Sequence, residues 1–139
     1  MARLKEQLAW DGLKRANADR LTLHRIENLV GTGMPDIIGK NRLGVVFWIE
    51  SKALHAWPAR DTTKPMKDAF EPGQIPFLKA WMRFKGNAFV LLKVGKEAFL
   101  LNPKENIEIV DMTRDDIVKY SLALGMSSIV DYLMNLEHR

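Results

Sequence analysis

A chain of 139 residues, 47% hydrophobic and 27% charged, has the makeup of one globular domain that can bury a proper core. The absence of cysteine excludes disulfides and thiolate zinc sites and suits a reducing cytoplasm. No apolar run reaches membrane-spanning length, the first six residues carry no leader-like apolar region, and a net charge of +4 favours an anionic partner.

Residues 2–17 read as a helix with Leu4, Leu8, Gly12, Leu13 and Ala16 on one broad face and Arg3, Gln7 and Lys14 opposite. Glu6 stands on one border of that face and Asp11 on the other; Glu6 is either a solvated helix charge or a group reaching toward a neighbouring site. Asn17-Ala18-Asp19 breaks the helix. Residues 20–28 then read as a strand, with Leu21, Leu23 and Arg25 alternating with Thr22, His24 and Ile26. Arg25 and Glu27 are either a structural ion pair or a phosphate contact beside a carboxylate, and spacing does not separate the two. His24 reads as a satisfied strand residue rather than a general base.

Gly31-Thr32-Gly33 turns the chain into Met34-Pro35-Asp36-Ile37-Ile38, a short second strand. Proline is tolerated where that strand begins, because an N–H is spare there. A polar turn over 39–44 leads to Val45-Val46-Phe47-Trp48-Ile49, apolar on both faces and so a central strand. Glu50 and Lys52 follow at its C-terminal end. Residues two apart point to the same face of a strand, roughly 7 Å apart. Placing charge at the edge of a core is costly unless something compensates for it, so function is the better reason for the pair. The hairpin also brings Asp36 toward Glu50. Two carboxylates make a hard, oxygen-only site suited to Mg²⁺ or Mn²⁺ rather than zinc. A lysine beside such a metal positions or deprotonates water, or neutralises charge developing on a phosphate.

Residues 54–73 form the least regular stretch, with Pro58, Pro65 and Pro72, the basic Arg60, Lys64 and Lys67, and the aromatic Trp57 and Phe70. A loop this long is usually functional or mobile. Its basic and aromatic residues fit contact with a nucleic-acid backbone and stacking, or a solvated insertion whose aromatics pack on the body. Residues 74–85 read as a helix with Pro76 in its first turn, Gly86 as its stop and a core stripe of Phe77, Leu78, Trp81 and Phe84. Residues 87–94 are a buried strand, turned by 95–97 into a further one over 98–101; residues 107–110 suggest a short strand. Thr113 caps a helix running to Gly125, and Ser127 or Ser128 caps a last one through Leu136. The stripe of Ile129, Val130, Leu133 and Met134, like that of the first helix, serves either the core or a subunit contact.

Pro35-Asp36 followed by Glu50-Ser51-Lys52 on a hairpin resembles the signature of the PD-(D/E)xK nuclease superfamily, and residues 33–39 are similar to its VRR-NUC branch. The resemblance spans about residues 4–94 of a single domain, leaving 95–139 as a strand and helix extension. It implies a restriction-endonuclease-like α/β fold, a mixed central sheet flanked by helices. In that frame Asp36, Glu50 and the Ser51 carbonyl hold Mg²⁺ (or Mn²⁺), Lys52 assists the water, and products carry a 5′-phosphate. Glu6, preferred to Glu27, would complete the metal site from the first helix, and Gln74 matches a glutamine close to the metal. Arg25, Arg60, Lys64 and Lys67 are the expected DNA contacts.

Small stand-alone members are similar to phage junction-resolving endonucleases. Branched DNA and a homodimer are therefore expected, because a four-way junction must be cut in two strands, and the expected place is the cytoplasm (that of the host cell if the chain is phage-encoded). A flap, single-strand or duplex nuclease is the alternative. A non-catalytic DNA-binding module is a further one, against which the intact Asp36, Glu50 and Lys52 set stands.

Overall fold

The computed structural model describes residues 2–26, 33–103 and 107–138, with side chains from Gln7 onward. Helix α1 (Ala2–Asn17) precedes β1 (Thr22–Arg25), β2 (Ile37–Lys40), β3 (Val46–Leu54), α2 (Gln74–Arg83), β4 (Asn87–Val94) and β5 (Glu97–Leu101). A 3-10 turn (Ile109–Asp111), α3 (Arg114–Tyr120), β6 (Ala123–Leu124) and α4 (Met126–Met134) follow. The strands form one mixed sheet in chain order, β1 to β6. Among the described strands the β3–β4 pair alone is parallel, and residues 55–73 with α2 make its crossover. Among the described residues no helix is long and apolar enough to cross a membrane.

Alternation along β3 divides the core in two. Trp48 faces α2, α3 and the 3-10 turn, joining Leu78, Met82, Ile109, Met112 and Ile117. Phe47 and Ile49 face α1 and α4, joining Leu13, Ile129, Val130 and Leu133. Leu13 of the first helix's stripe and Ile129, Val130 and Leu133 of the last helix's are thus core. The segment after Gly95 is continuous with the rest, since β5 and β6 extend the sheet and α3 and α4 close its two faces.

Several boundaries differ from expectation, each for a tertiary reason. β3 runs on to Leu54 because its ladder with β4 continues to Leu54↔Val94, so Glu50 and Lys52 lie within the strand rather than at its end. β2 begins at Ile37, not Met34. The helix expected to reach Gly125 stops at Tyr120, and Ala123–Leu124 pairs with β5 instead. Residues 107–110 lead into a 3-10 turn, not a strand, and α4 starts behind Gly125 with no side-chain cap. In α1 the buried residues include Ala9 and Leu13 while Leu8 is exposed; in α2 Leu78 and Met82 are buried and Phe84 is 86% exposed. Phe84 sits at the C-cap, past the last regular turn.

Candidate metal and phosphodiester site

Register places the site. β2 pairs with β3 from Ile37↔Ile49 onward, so one further step sets Asp36 across from Glu50. The Ser51 backbone N–H donates to Asp36 Oδ2 at 2.9 Å, which fixes that carboxyl against β3. Two residues along the same face of β3, Lys52 Nζ lies 3.6 Å from Glu50 Oε2. Glu50 is 2% exposed and Lys52 9%, so the contact lies inside the protein and not on its surface.

Gln74, the first residue of α2, ties the pair together. Its Oε1 accepts from Lys52 Nζ at 2.9 Å and from the Glu71 N–H at 2.9 Å, while its Nε2 donates to Glu50 Oε2 at 3.3 Å. Lys52 therefore bonds more closely to the amide than to the carboxylate and does not collapse onto Glu50. The Phe70 ring lies 5.0 Å from the ammonium and flanks it. Backbone contact sets the depth of the assembly. A Cβ at Gly33 would stand 2.5 Å from the Gly73 carbonyl carbon, and both glycines have positive φ, +79° and +90°. The chain entering Asp36 thus rests directly on the start of α2, an approach open only to glycine.

Charge is expensive here. Burial, and then the neighbouring Asp36 carboxyl, push Glu50 up to about 9, against the pull of Lys52. Burial also raises Asp36, opposed by the Ser51 N–H bond, by a proton shared with the Glu50 carboxyl, and by the charges of Lys52 and Arg25. Glu50 Oε1 is buried with no hydrogen-bond partner among the described residues. An unpartnered buried carboxyl oxygen facing a second carboxyl fits a divalent cation, which would supply both the missing partner and the missing charge. Among the described residues no cluster of three or more His, Asp or Glu forms, so Asp36 and Glu50 are the side-chain ligands they offer.

The other expected residues fall into two groups. Arg25 bonds Gln7 of α1 and acts on Asp36 through its charge. Arg60, Lys64 and Lys67 are exposed on the 55–73 segment, with Lys64 3.6 Å from Asp111, and no described contact brings them to the carboxylates. Glu27 and the side chain of Glu6 lie outside the described residues. Trp57 packs edge-on against Phe99 at 5.4 Å, donates to Glu97 Oε1 at 3.1 Å and carries Arg114 over its ring, so it is held on the body. Phe70, the Glu71 N–H and Gly73 were not singled out by sequence as parts of the site; proline and glycine just before a helix were the available signal.

Among solved structures, the 1.6 Å structure of Archaeoglobus fulgidus Hjc, a Holliday junction resolvase from an archaeal hyperthermophile, superposes with a TM-score of 0.58. The chain shares that fold. The match covers 92% of this chain and 98% of Hjc at 14% identity, so the likeness is one of fold. It reaches past Val94 and includes the restriction-endonuclease-like sheet that the Asp36 and Glu50 motif implied. A VRR_NUC domain is also similar, at 21% identity and a TM-score of 0.43 over 66% of this chain and 84% of that one. No protein-family model and no curated protein matches the sequence.

Proposed function

We propose that the chain is a divalent-metal-dependent endonuclease that hydrolyses phosphodiester bonds in branched DNA and leaves 5′-phosphate ends. The observation that carries this reading is the unpartnered buried oxygen of Glu50, across from Asp36 and beside a lysine restrained by Gln74. A structural ion pair needs neither the orphaned oxygen nor the second carboxyl. Asp36, Glu50 and the Ser51 carbonyl would hold Mg²⁺ (or Mn²⁺), with Glu6 as the further ligand. The bound ion would neutralise phosphate charge and acidify water.

The chain's own residues supply the rest. Ser51 and Gln74 hold the two carboxyls in place through hydrogen bonds. An ammonium has three donors, and Lys52 directs one to Gln74 and another toward Glu50. The third serves a phosphate oxygen or the attacking water, where it stabilises charge that grows in the transition state. The exposed Arg60, Lys64 and Lys67 and the half-buried Arg25 would meet the backbone of the anionic substrate.

Resolving a four-way junction takes two cuts, and this chain has one Asp36, Glu50 and Lys52 set, so a two-fold homodimer is part of the reading. Cleavage of four-way junction, flap and duplex in Mg²⁺, alongside sedimentation at micromolar concentration, tests it. Paired cuts in the junction by a dimer are expected. A monomer that nicks duplex as readily as junctions would replace the resolvase reading with that of a general nuclease.

A further inference from the structure

Past the carboxylates, the same face of the sheet is open. Asp36, Ile38 and Lys40 share one side of β2; His24 lies across from Ile38 and Thr22 across from Lys40 on β1, while Trp48 and Val46 complete the rows on β3. Thr22, His24 and Lys40 are exposed, and Ile38 and Val46 half-buried. Together with Gly39 they line a trough of about 310 Å³. On the same face the buried Trp48 meets Phe77 and the exposed Trp81 edge-on at 5.6 and 5.8 Å.

The chemistry of the lining is selective. Lys40 is its one charged residue, and no acidic side chain is among the lining residues. Among the described residues no hydrogen bond or ion pair engages the side chains of Thr22, His24 or Lys40. Apolar Ile38 and Val46 form a floor between these polar groups. The trough shares its β2 face with Asp36: Lys40 lies four residues beyond Asp36, about 13 Å along the strand. That is about four base steps of a duplex axis, and fewer of an extended single strand.

We infer that this trough receives unpaired nucleotides of the DNA strand that leaves the scissile phosphate. Lys40 contacts a backbone phosphate, Thr22 and His24 hydrogen-bond base or sugar, and a base lies on Ile38 and Val46. The assignment rests on the reading of Asp36 and Glu50 as the cleavage site. It selects single-stranded nucleotides because a base inside a stack has no free face to lay on such a floor, whereas an unstacked base does. A second copy of the chain is the weaker occupant. It would bury Lys40 and two polar side chains in a trough that offers no acidic partner, which is costly.

Anisotropy with fluorescent oligo-dT and with blunt duplex, in chelator so that nothing is cut, reads the trough directly. Wild type, Lys40→Glu, Lys40→Ala and the Thr22→Val, His24→Ala double variant are compared, all at exposed positions and checked by melting. Lys40→Glu should weaken oligo-dT binding on the order of 10-fold and duplex binding under about threefold, and Lys40→Ala should lower the salt slope for oligo-dT by about 0.7. Unchanged binding of oligo-dT, or equal losses on duplex, overturns the inference. So does a wild-type dimer that Lys40→Glu dissociates in sedimentation. A wild-type protein that cuts no DNA in Mg²⁺ yet keeps the Lys40-dependent preference leaves the trough standing and removes the nuclease reading. Cleavage with no such preference does the reverse.

Discussion

Replacing Glu50 with Gln should stabilise the metal-free protein while destroying its activity. The folded carboxyl is pushed from 4.5 up to about 9, so above pH 4.5 folding must take up a proton that the unfolded chain has released. A raised carboxylate value means stability is greatest at low pH and falls as pH rises between those two values. Each pH unit in that window is worth about 1.4 kcal/mol, so at pH 7 the cost reaches about 3 kcal/mol as an upper bound. Glu50→Gln removes the titration, keeps an acceptor for Gln74 and fits the same space. In chelator its advantage should be near zero at pH 4.5 and grow toward pH 8, reaching roughly 10 °C in melting temperature at pH 7. Urea unfolding of both proteins at several pH values measures this. Parallel stability curves, or a variant less stable at pH 8, would refute the claim that the buried carboxylate is strained without a cation.

The other expectations concern the parts of the site. Lys52→Ala should slow cleavage on the order of 10²-fold, as loss of one transition-state charge partner does; a fall under threefold would leave Lys52 a structural ion pair. Gly33→Ala forces a side chain into the Gly73 backbone at a positive φ. It should cost about 1–3 kcal/mol in urea unfolding and lower activity further by separating Asp36 from Gln74, whereas a wild-type melting curve would contradict the close packing. Glu6→Gln should abolish cleavage and Glu27→Gln spare it; the opposite pattern would make α1 scaffold alone.

Asp36, Glu50 and Lys52 were legible because strand alternation and a hairpin register are written in local sequence, and charges on so apolar a strand stand out. Gln74 was legible only through resemblance, since a glutamine at a helix start has an ordinary role as well. The misses share a cause. β6 is a two-residue strand that exists only because β5 offers an edge, and no local pattern announces it. Phe84 fitted the stripe of α2 by spacing, yet the helix ends before it and the ring is left in solvent. Met66, fully buried, pins the 55–73 loop from a stretch whose composition reads as solvated. Trp57 suited a stacking role until Phe99 and Arg114, remote in sequence, were found to enclose it.

The central claim is that Asp36 and Glu50 hold a divalent cation that drives phosphodiester cleavage. Incubating supercoiled plasmid and a four-way junction with the protein in Mg²⁺, in chelator, and in Mg²⁺ with Asp36→Ala tests it most directly. Cleavage in the first condition alone, with Asp36→Ala still binding the junction, is the expected result. Undiminished cutting in chelator, or by Asp36→Ala, would contradict the account.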